Sequence, residues 1–195
     1  MNPVYLFIGQ SGAGKGTQVA LLKERLLQNN ANTKFFFLQT GDKFRELIGG
    51  DTYTAKLTRE LITEGKLPPP FLAIHIWSHL LIENYDGTTT VIIDGTPRVD
   101  TEVPLLLSAA GFYKWTINII HLDVSDEWAF THLKGRGRAD DNDDLIRGRI
   151  QWFHDSVVPA IDLLKASTSV KFHTVNGEQS PEAVHEDILK VLEVK

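Results

Sequence analysis

The chain reads as an α/β fold, a parallel sheet covered by helices on both faces, and three observations predict it. Five short apolar runs, at 5–8, 35–38, 90–93, 117–122 and 170–175, have the length and continuity of strands buried on both faces. Helical stretches separate them, so strands and helices alternate, and parallel strands joined by right-handed crossovers follow. The first three runs each end in a polar motif, GQSGAGKGT, QTGDKFR and DGTPR. Ligands in such sheets sit at the carboxyl ends of the strands, so the three motifs are expected to converge on one edge.

The first run leads into residues 9–18, GQSGAGKGTQ. A glycine-rich turn between a buried strand and a helix is a phosphate-binding loop. Gly9, Gly12 and Gly14 let backbone N–H groups face phosphate oxygens, Lys15 adds a compact positive charge, and the helix N-terminus points at the same spot. The usual pattern is G-x-x-x-x-G-K-[ST]; here Gly16 stands where Ser or Thr is expected and Thr17 follows one later. A tight turn without a ligand is the bland alternative, and the three glycines and lysine in this setting weigh against it.

The first helix is expected over 15–27, with Val19, Leu22 and Leu26 on one side and Lys23, Glu24 and Arg25 toward water. The stretch 143–166 is helical by pattern, with Leu145, Ile150, Phe153, Val157 and Ile161 spaced for a buried face. Pro159 interrupts it and predicts a kink or a break. A last amphipathic helix is expected over 181–192, with Pro181 in its first turn.

With 195 residues and 42% apolar content, the chain can bury one substantial core. It has no cysteine, which removes disulfides, thiolate zinc sites and cysteine nucleophiles. A net charge of −5 without a basic block argues against a nucleic-acid surface. The N-terminal apolar run is too short for a signal or membrane helix. A soluble cytoplasmic protein with neither nucleic-acid nor membrane partners is the expectation.

Taken together the motifs resemble the adenylate kinases, within the nucleoside monophosphate kinases, over nearly the whole chain. GAGKGTQ at 12–18 is similar to the family's phosphate loop, including its Gly16-Thr17 order. Thr40-Gly41-Asp42 with Arg45 resembles the monophosphate-site motif, and Gly65-Lys66-Leu67 the segment that closes over the acceptor nucleotide. Asp94-Gly95-Thr96-Pro97-Arg98 resembles Asp-Gly-Phe-Pro-Arg. Arg138-Ala139-Asp140-Asp141-Asn142 with Arg149 resembles the lid and its hinge helix, and Val175-Asn176-Gly177 the loop that touches the donor adenine. The resemblance implies a single kinase domain over 1–195, with a three-layer P-loop fold. Its five-stranded parallel sheet would have strand order 2-3-1-4-5. A small monophosphate-binding insert is expected at 40–70 and a short lid at 133–144. Without cysteine the lid is not the zinc-bearing kind.

The implied chemistry is reversible phosphoryl transfer from ATP-Mg to a nucleoside monophosphate, AMP first, by a monomer. Phosphoryl transfer needs two anions held in line and their charge neutralised. On this reading Gly12, Ala13, Gly14, Lys15, Gly16, Thr17, His132, Arg136 and Gly177 bind ATP. Thr40, Gly41, Arg45, Lys66, Leu67, Gly95, Arg98, Glu102, Arg138 and Arg149 bind the monophosphate. Lys15, Arg98, Arg136, Arg138 and Arg149 surround the transferring group. Asp94 holds the water shell of Mg2+, with Thr17 near the bridging oxygens. No general base is needed, because the attacking phosphate oxygen is already ionised at neutral pH. Asp140 and Asp141 are expected to orient the lid arginines; Asp143 and Asp144 do the same or form only the acidic first turn of a helix. Arg147 reads as surface, and Trp128, Trp152 and Phe153 as packing. His75 and His79 lie four apart on a helix, a spacing that suits a metal or, more simply, a core or interface face beside Trp77.

Three positions depart from the family pattern. His132 replaces the first lid-side arginine, Thr96 an aromatic, and Glu102 the glutamine that reads the acceptor base. A carboxylate only accepts hydrogen bonds, so it opposes adenine N1 and suits the two donors of guanine; a buried mismatch costs about 1–3 kcal/mol. A shifted or broadened acceptor specificity is one expectation, Glu102 facing solvent the other. The departures and the trimmed lid also admit a non-catalytic nucleotide-binding protein, against which Lys15, Asp94, Arg45, Arg98 and Arg138 stand.

Overall fold

The computed structural model describes residues 3–64, 66–136 and 142–194, without the side chains of Asp42 and Arg136. The elements run β1 (Val4–Gly9), α1 (Lys15–Asn29), β2 (Phe35–Gln39), α2 (Thr40–Gly49), α3 (Tyr53–Thr63) and α4 (Pro70–Asn84). Then come β3 (Thr90–Asp94), α5 (Glu102–Tyr113), β4 (Ile117–Asp123) and α6 (Asp126–Arg136). After the residues left undescribed follow α7 (Asp143–Trp152), a π-helical turn (Phe153–Val157), α8 (Val158–Ala166), β5 (Val170–Asn176) and α9 (Pro181–Val191).

The five strands form one parallel sheet in the order β2-β3-β1-β4-β5. Because successive strand residues point to opposite faces, the runs split into two cores. Leu6, Ile8, Ile93, Ile117 and Ile119 pack on α4, α5 and α8 through Trp77, Leu81, Val103, Leu106, Ile161 and Leu164. Tyr5, Phe7, Ile92, Ile120 and Leu122 pack on α1 and α9 through Val19, Leu22, Val184 and Ile188. The unbroken apolar runs of the central strands β1 and β3 are thus required by helices on both faces, whereas the edge strand β5 leaves Lys171 and Thr174 exposed.

The register aligns the strand ends. Phe7 and Gln39 both pair with Asp94, Gly9 pairs with Leu122, and Asp123 with Asn176. The loops after β1, β3 and β5 and the start of α2 therefore share one edge of the sheet.

The expected interruption at Pro159 takes the form of the π-helical turn just ahead of it, with Pro159 in the first turn of α8. Proline cannot bond back to residue 155, and a wider turn absorbs the defect. The helix does not break because Phe153, Val157 and Ile161 on both sides of the defect enter the same core. Ile146, not Leu145 or Ile150, is the fully buried residue of α7; those two are half-buried. Asn142 caps α7 by accepting from the Leu145 N–H at 2.9 Å, and Asp143 and Asp144 stand in the acidic first turn. Asp143 pairs with Lys134 at 3.1 Å.

Candidate functional site

The loop after β1 wraps the N-terminus of α1. Gly14 caps that helix in the left-handed region, at φ 86°. Gly12 has φ 90°, and a Cβ there would lie 2.7 Å from the Ala129 carbonyl oxygen of α6. Only glycine allows the loop to lie this close to α6. Lys15 Nζ donates to the carbonyls of Gly9 and Gln10, each at 2.8 Å, which holds the ammonium across the mouth of the loop. Gly177 joins this side: its N–H donates to Asp123 O at 2.8 Å, and a Cβ would meet Val124 at 2.6 Å and Ala13 O at 3.6 Å. The loop after β5 is thus seated beside the phosphate loop.

His132 lies on the exposed side of α6, one turn after Trp128. Its Nδ1–H donates to Trp128 O at 2.9 Å, and the two rings stack with centroids 4.2 Å apart. Trp128, expected to pack, instead backs His132 and leaves the outer face of the imidazole to solvent.

A second cluster forms after β3. The Gly95 carbonyl accepts from the Thr40 hydroxyl and from Arg98 Nε–H, both at 3.0 Å, which ties the start of α2 to the β3 loop. Thr96-Pro97 is a cis peptide bond. The Arg98 guanidinium lies 5.8 Å from the ring centre of Trp152. Burial acts to lower the pKa of Arg98, Asp94 and Glu102 act to raise it, and the charges of Arg149 and Arg45 lower it further. Arg98 stays charged regardless. Arg98 thus feels the charges of Asp94, Glu102, Arg149 and Arg45.

Glu102 does not face solvent; it is 1% exposed. Its Oε1 accepts from the Arg98 backbone N–H at 2.9 Å and its Oε2 from the Thr96 hydroxyl. Glu102 also borders a cavity of about 30 Å³ with Phe44, Leu67, Pro68, Arg98 and Val99.

Not every expected residue joins the site. The Lys66 ammonium pairs with Glu64 at 2.7 Å on the surface, and Lys66 is not among the cavity-lining residues, although Leu67 is. Arg138, Asp140, Asp141, most of the lid and Gly65 lie outside the described residues, as does the Arg136 side chain. Gly16 and Thr17 open α1 and are exposed, and Gly41 lies on α2 with Arg45. Arg147 is exposed over Phe130, as read. His75 and His79 stack on an exposed face of α4, with Trp77 turned into the core. They are thus not core residues, and no group of three or more metal-ligating side chains occurs among the described residues.

Sequence reasoning missed one bridge. Gln10, in the phosphate loop, donates from Nε2 to Asp126 Oδ1 at 2.5 Å, and His154 Nε2 lies 2.8 Å from the same oxygen. Burial acts to raise the Asp126 pKa, but the hydrogen bonds from Gln10 and His154 and the His154 charge leave it below the ordinary value. The bridge joins the phosphate loop, α6 and the π-helical turn. No sequence spacing marks it, since its members are far apart in the chain.

A glycine-rich strand-to-helix loop with Lys15 across its mouth, and an arginine tied at the adjoining strand end, is the arrangement of the P-loop phosphotransferases as a class. Residues 7–169 match the adenylate kinase family model. The chain is 32% identical over 188 residues to an adenylate kinase of Prochlorococcus marinus, covering 96% of this chain and 97% of that one. It is 30% identical over 190 residues to adenylate kinase 1 of a Nostoc species, covering 96% and 97%. To an adenylate kinase of Corynebacterium glutamicum it is 30% identical over 188 residues, with the same coverage. The chain belongs to the adenylate kinase family. It is a phosphotransferase enzyme whose family chemistry is ATP-dependent phosphoryl transfer to nucleoside monophosphates. Among the described residues no helix is long and apolar enough to cross a membrane.

Proposed function

We propose that this chain transfers the terminal phosphoryl group of ATP-Mg reversibly to AMP, giving two ADP. The observation that carries the reading is Arg98, tied to Gly95 O at the end of β3 and feeling the charges of Arg45 and Arg149, at the sheet edge that also holds Lys15. Two polyanions repel as they approach, and this edge supplies the opposing charge where the repulsion is greatest. Lys15 grips the transferring group; Arg45 and Arg98 fork onto the acceptor phosphate; Arg149 closes from the hinge helix with Arg136 and Arg138 of the lid. The donor base lies between the Gly177 loop and the open face of His132, which the Trp128 stack holds flat. The acceptor base lies against the apolar wall of Phe44, Leu67 and Val99.

Mg2+ fits the edge. The ion would come with the nucleotide, and the oxygen donors Asp94, at the end of β3, and Thr17, in the first turn of α1, would hold its water. The ion supplies charge neutralisation at the phosphates. A guanine acceptor would need Glu102 to face the base, and both its oxygens accept from Thr96 and Arg98 instead, which favours AMP. The retained cations weigh against a non-catalytic nucleotide-binding protein. The reading includes a monomer in the cytoplasm.

A coupled assay with ATP-Mg and AMP, GMP, CMP or UMP tests this. AMP is expected to give the highest kcat/KM; a higher value for another monophosphate would reassign the acceptor, and nucleotide binding without product would leave only a binding protein.

A further inference from the structure

Thr96 and Glu102, both read from the sequence as departures from the resemblance, touch. The Thr96 hydroxyl donates to Glu102 Oε2 while the Arg98 backbone N–H donates to Oε1 at 2.9 Å. Both residues are buried, Thr96 at 3% and Glu102 at 1% exposure. A glutamine at position 102 has one oxygen for the Arg98 N–H and an amide NH2 left over for a base. A carboxylate has no donor, and its second oxygen needs one, which the Thr96 hydroxyl provides. The two departures therefore complement each other. The segment they close, 96–102, contains Arg98, whose guanidinium is tied at its other end to Gly95 O and lies against Trp152. Glu102 also opens α5, where a carboxylate is favoured by the helix dipole.

We propose that Thr96 and Glu102 are a positioning pair that holds Arg98 to the acceptor phosphate, and that position 102 does not read the acceptor base in this chain. The pair acts on every monophosphate alike, because it acts through the phosphate. Base selection then rests on the apolar cavity wall of Phe44, Leu67 and Val99. This inference rests on the reading that Arg98 holds the acceptor phosphate.

The test is a kinetic comparison of the wild type with Thr96→Val, Thr96→Ser, Glu102→Ala and Glu102→Gln on the four monophosphates, with calorimetric binding of AMP alongside. Loss of a buried hydrogen bond to a charged group predicts about a tenfold rise in acceptor KM for Thr96→Val and Glu102→Ala. The rise is expected to be equal for every acceptor used, with the KM of ATP unchanged. Thr96→Ser restores the wild-type value. Glu102→Gln still accepts from the Arg98 N–H and can donate to Thr96, so it is expected to keep the relative kcat/KM of the four acceptors. A tenfold or larger change in the AMP to GMP ratio in Glu102→Gln would overturn the proposal, as would an unchanged acceptor KM in Thr96→Val. If Glu102→Ala does not fold, the Thr96→Val and Thr96→Ser comparison decides. A wild type that binds AMP without making product would sink the functional reading alone; AMP binding weakened about tenfold in Thr96→Val would still uphold the pair. A wild type that binds no monophosphate overturns both.

Discussion

Lys15 already spans the mouth of the phosphate loop, 2.8 Å from the carbonyls of Gly9 and Gln10, so an arriving phosphate exchanges those neutral acceptors for a charged one. Lys15→Met is expected to lower kcat by about 10²–10³ or more while the melting temperature stays close to wild type. Retention of more than a few per cent of activity would place the donor phosphates elsewhere. Trp152 backs Arg98 with its ring face. Trp152→Ala is expected to raise the acceptor KM by about three- to tenfold, with Trp152→Phe retaining most of the effect; an unchanged KM in Trp152→Ala would leave the stack without a role. Lys15 was legible in the sequence because a loop of consecutive residues fixes its place. Trp152 was not, because its stack depends on how α7 crosses the β3 loop, and no spacing records that. The same holds for Glu102. Its residue type pointed to the base, and only its partners, Thr96 and the Arg98 N–H, redirect it to the turn.

Between elements, the contact that shapes the donor side is the phosphate loop against α6. Gly12→Ala would put a Cβ 2.7 Å from Ala129 O at φ 90°, which forces loop and helix apart. Left-handed strain and overpacking together predict a loss of about 2–4 kcal/mol in urea unfolding, with weakened ATP binding. A variant as stable as wild type would show that α6 gives way freely. The apolar runs of β1 and β3 predicted strands because both sheet faces are covered there; β5, at the sheet edge, is only partly buried. The form taken by the Pro159 defect was less legible. A missing N–H predicts a break or a kink equally well, and the π-helical turn is selected by the shared core position of Phe153, Val157 and Ile161. The Gln10–Asp126–His154 bridge, which links three elements through one carboxylate, likewise exists only in three dimensions.

At the scale of the whole molecule, buried histidines tie stability to pH. Burial lowers the pKa values of His121 and His185 from the ordinary 6.5, and the Nδ1 atom of each is buried without a partner. The unfolded chain therefore takes up protons first as pH falls. Their contribution is complete above about pH 6.5 and is lost below it, at up to about 1.4 kcal/mol per pH unit for each group within its window. Asp126, held below its ordinary 3.8, adds a further loss only in stronger acid. Urea midpoints from pH 7 to 5 are expected to fall, less steeply in His121→Asn, and a flat profile would contradict the assignment. Convergence of the three strand-end motifs was readable from the alternation of strands and helices, since parallel strands bring their carboxyl ends to one edge. The account stands on the cations of that edge passing a phosphoryl group between two nucleotides. The most direct measurement is 31P NMR of ATP-Mg and AMP incubated with the protein. ADP signals growing to equilibrium from either direction, and absent with Lys15→Met, are the expected result; unchanged ATP and AMP signals with the folded wild type would contradict it.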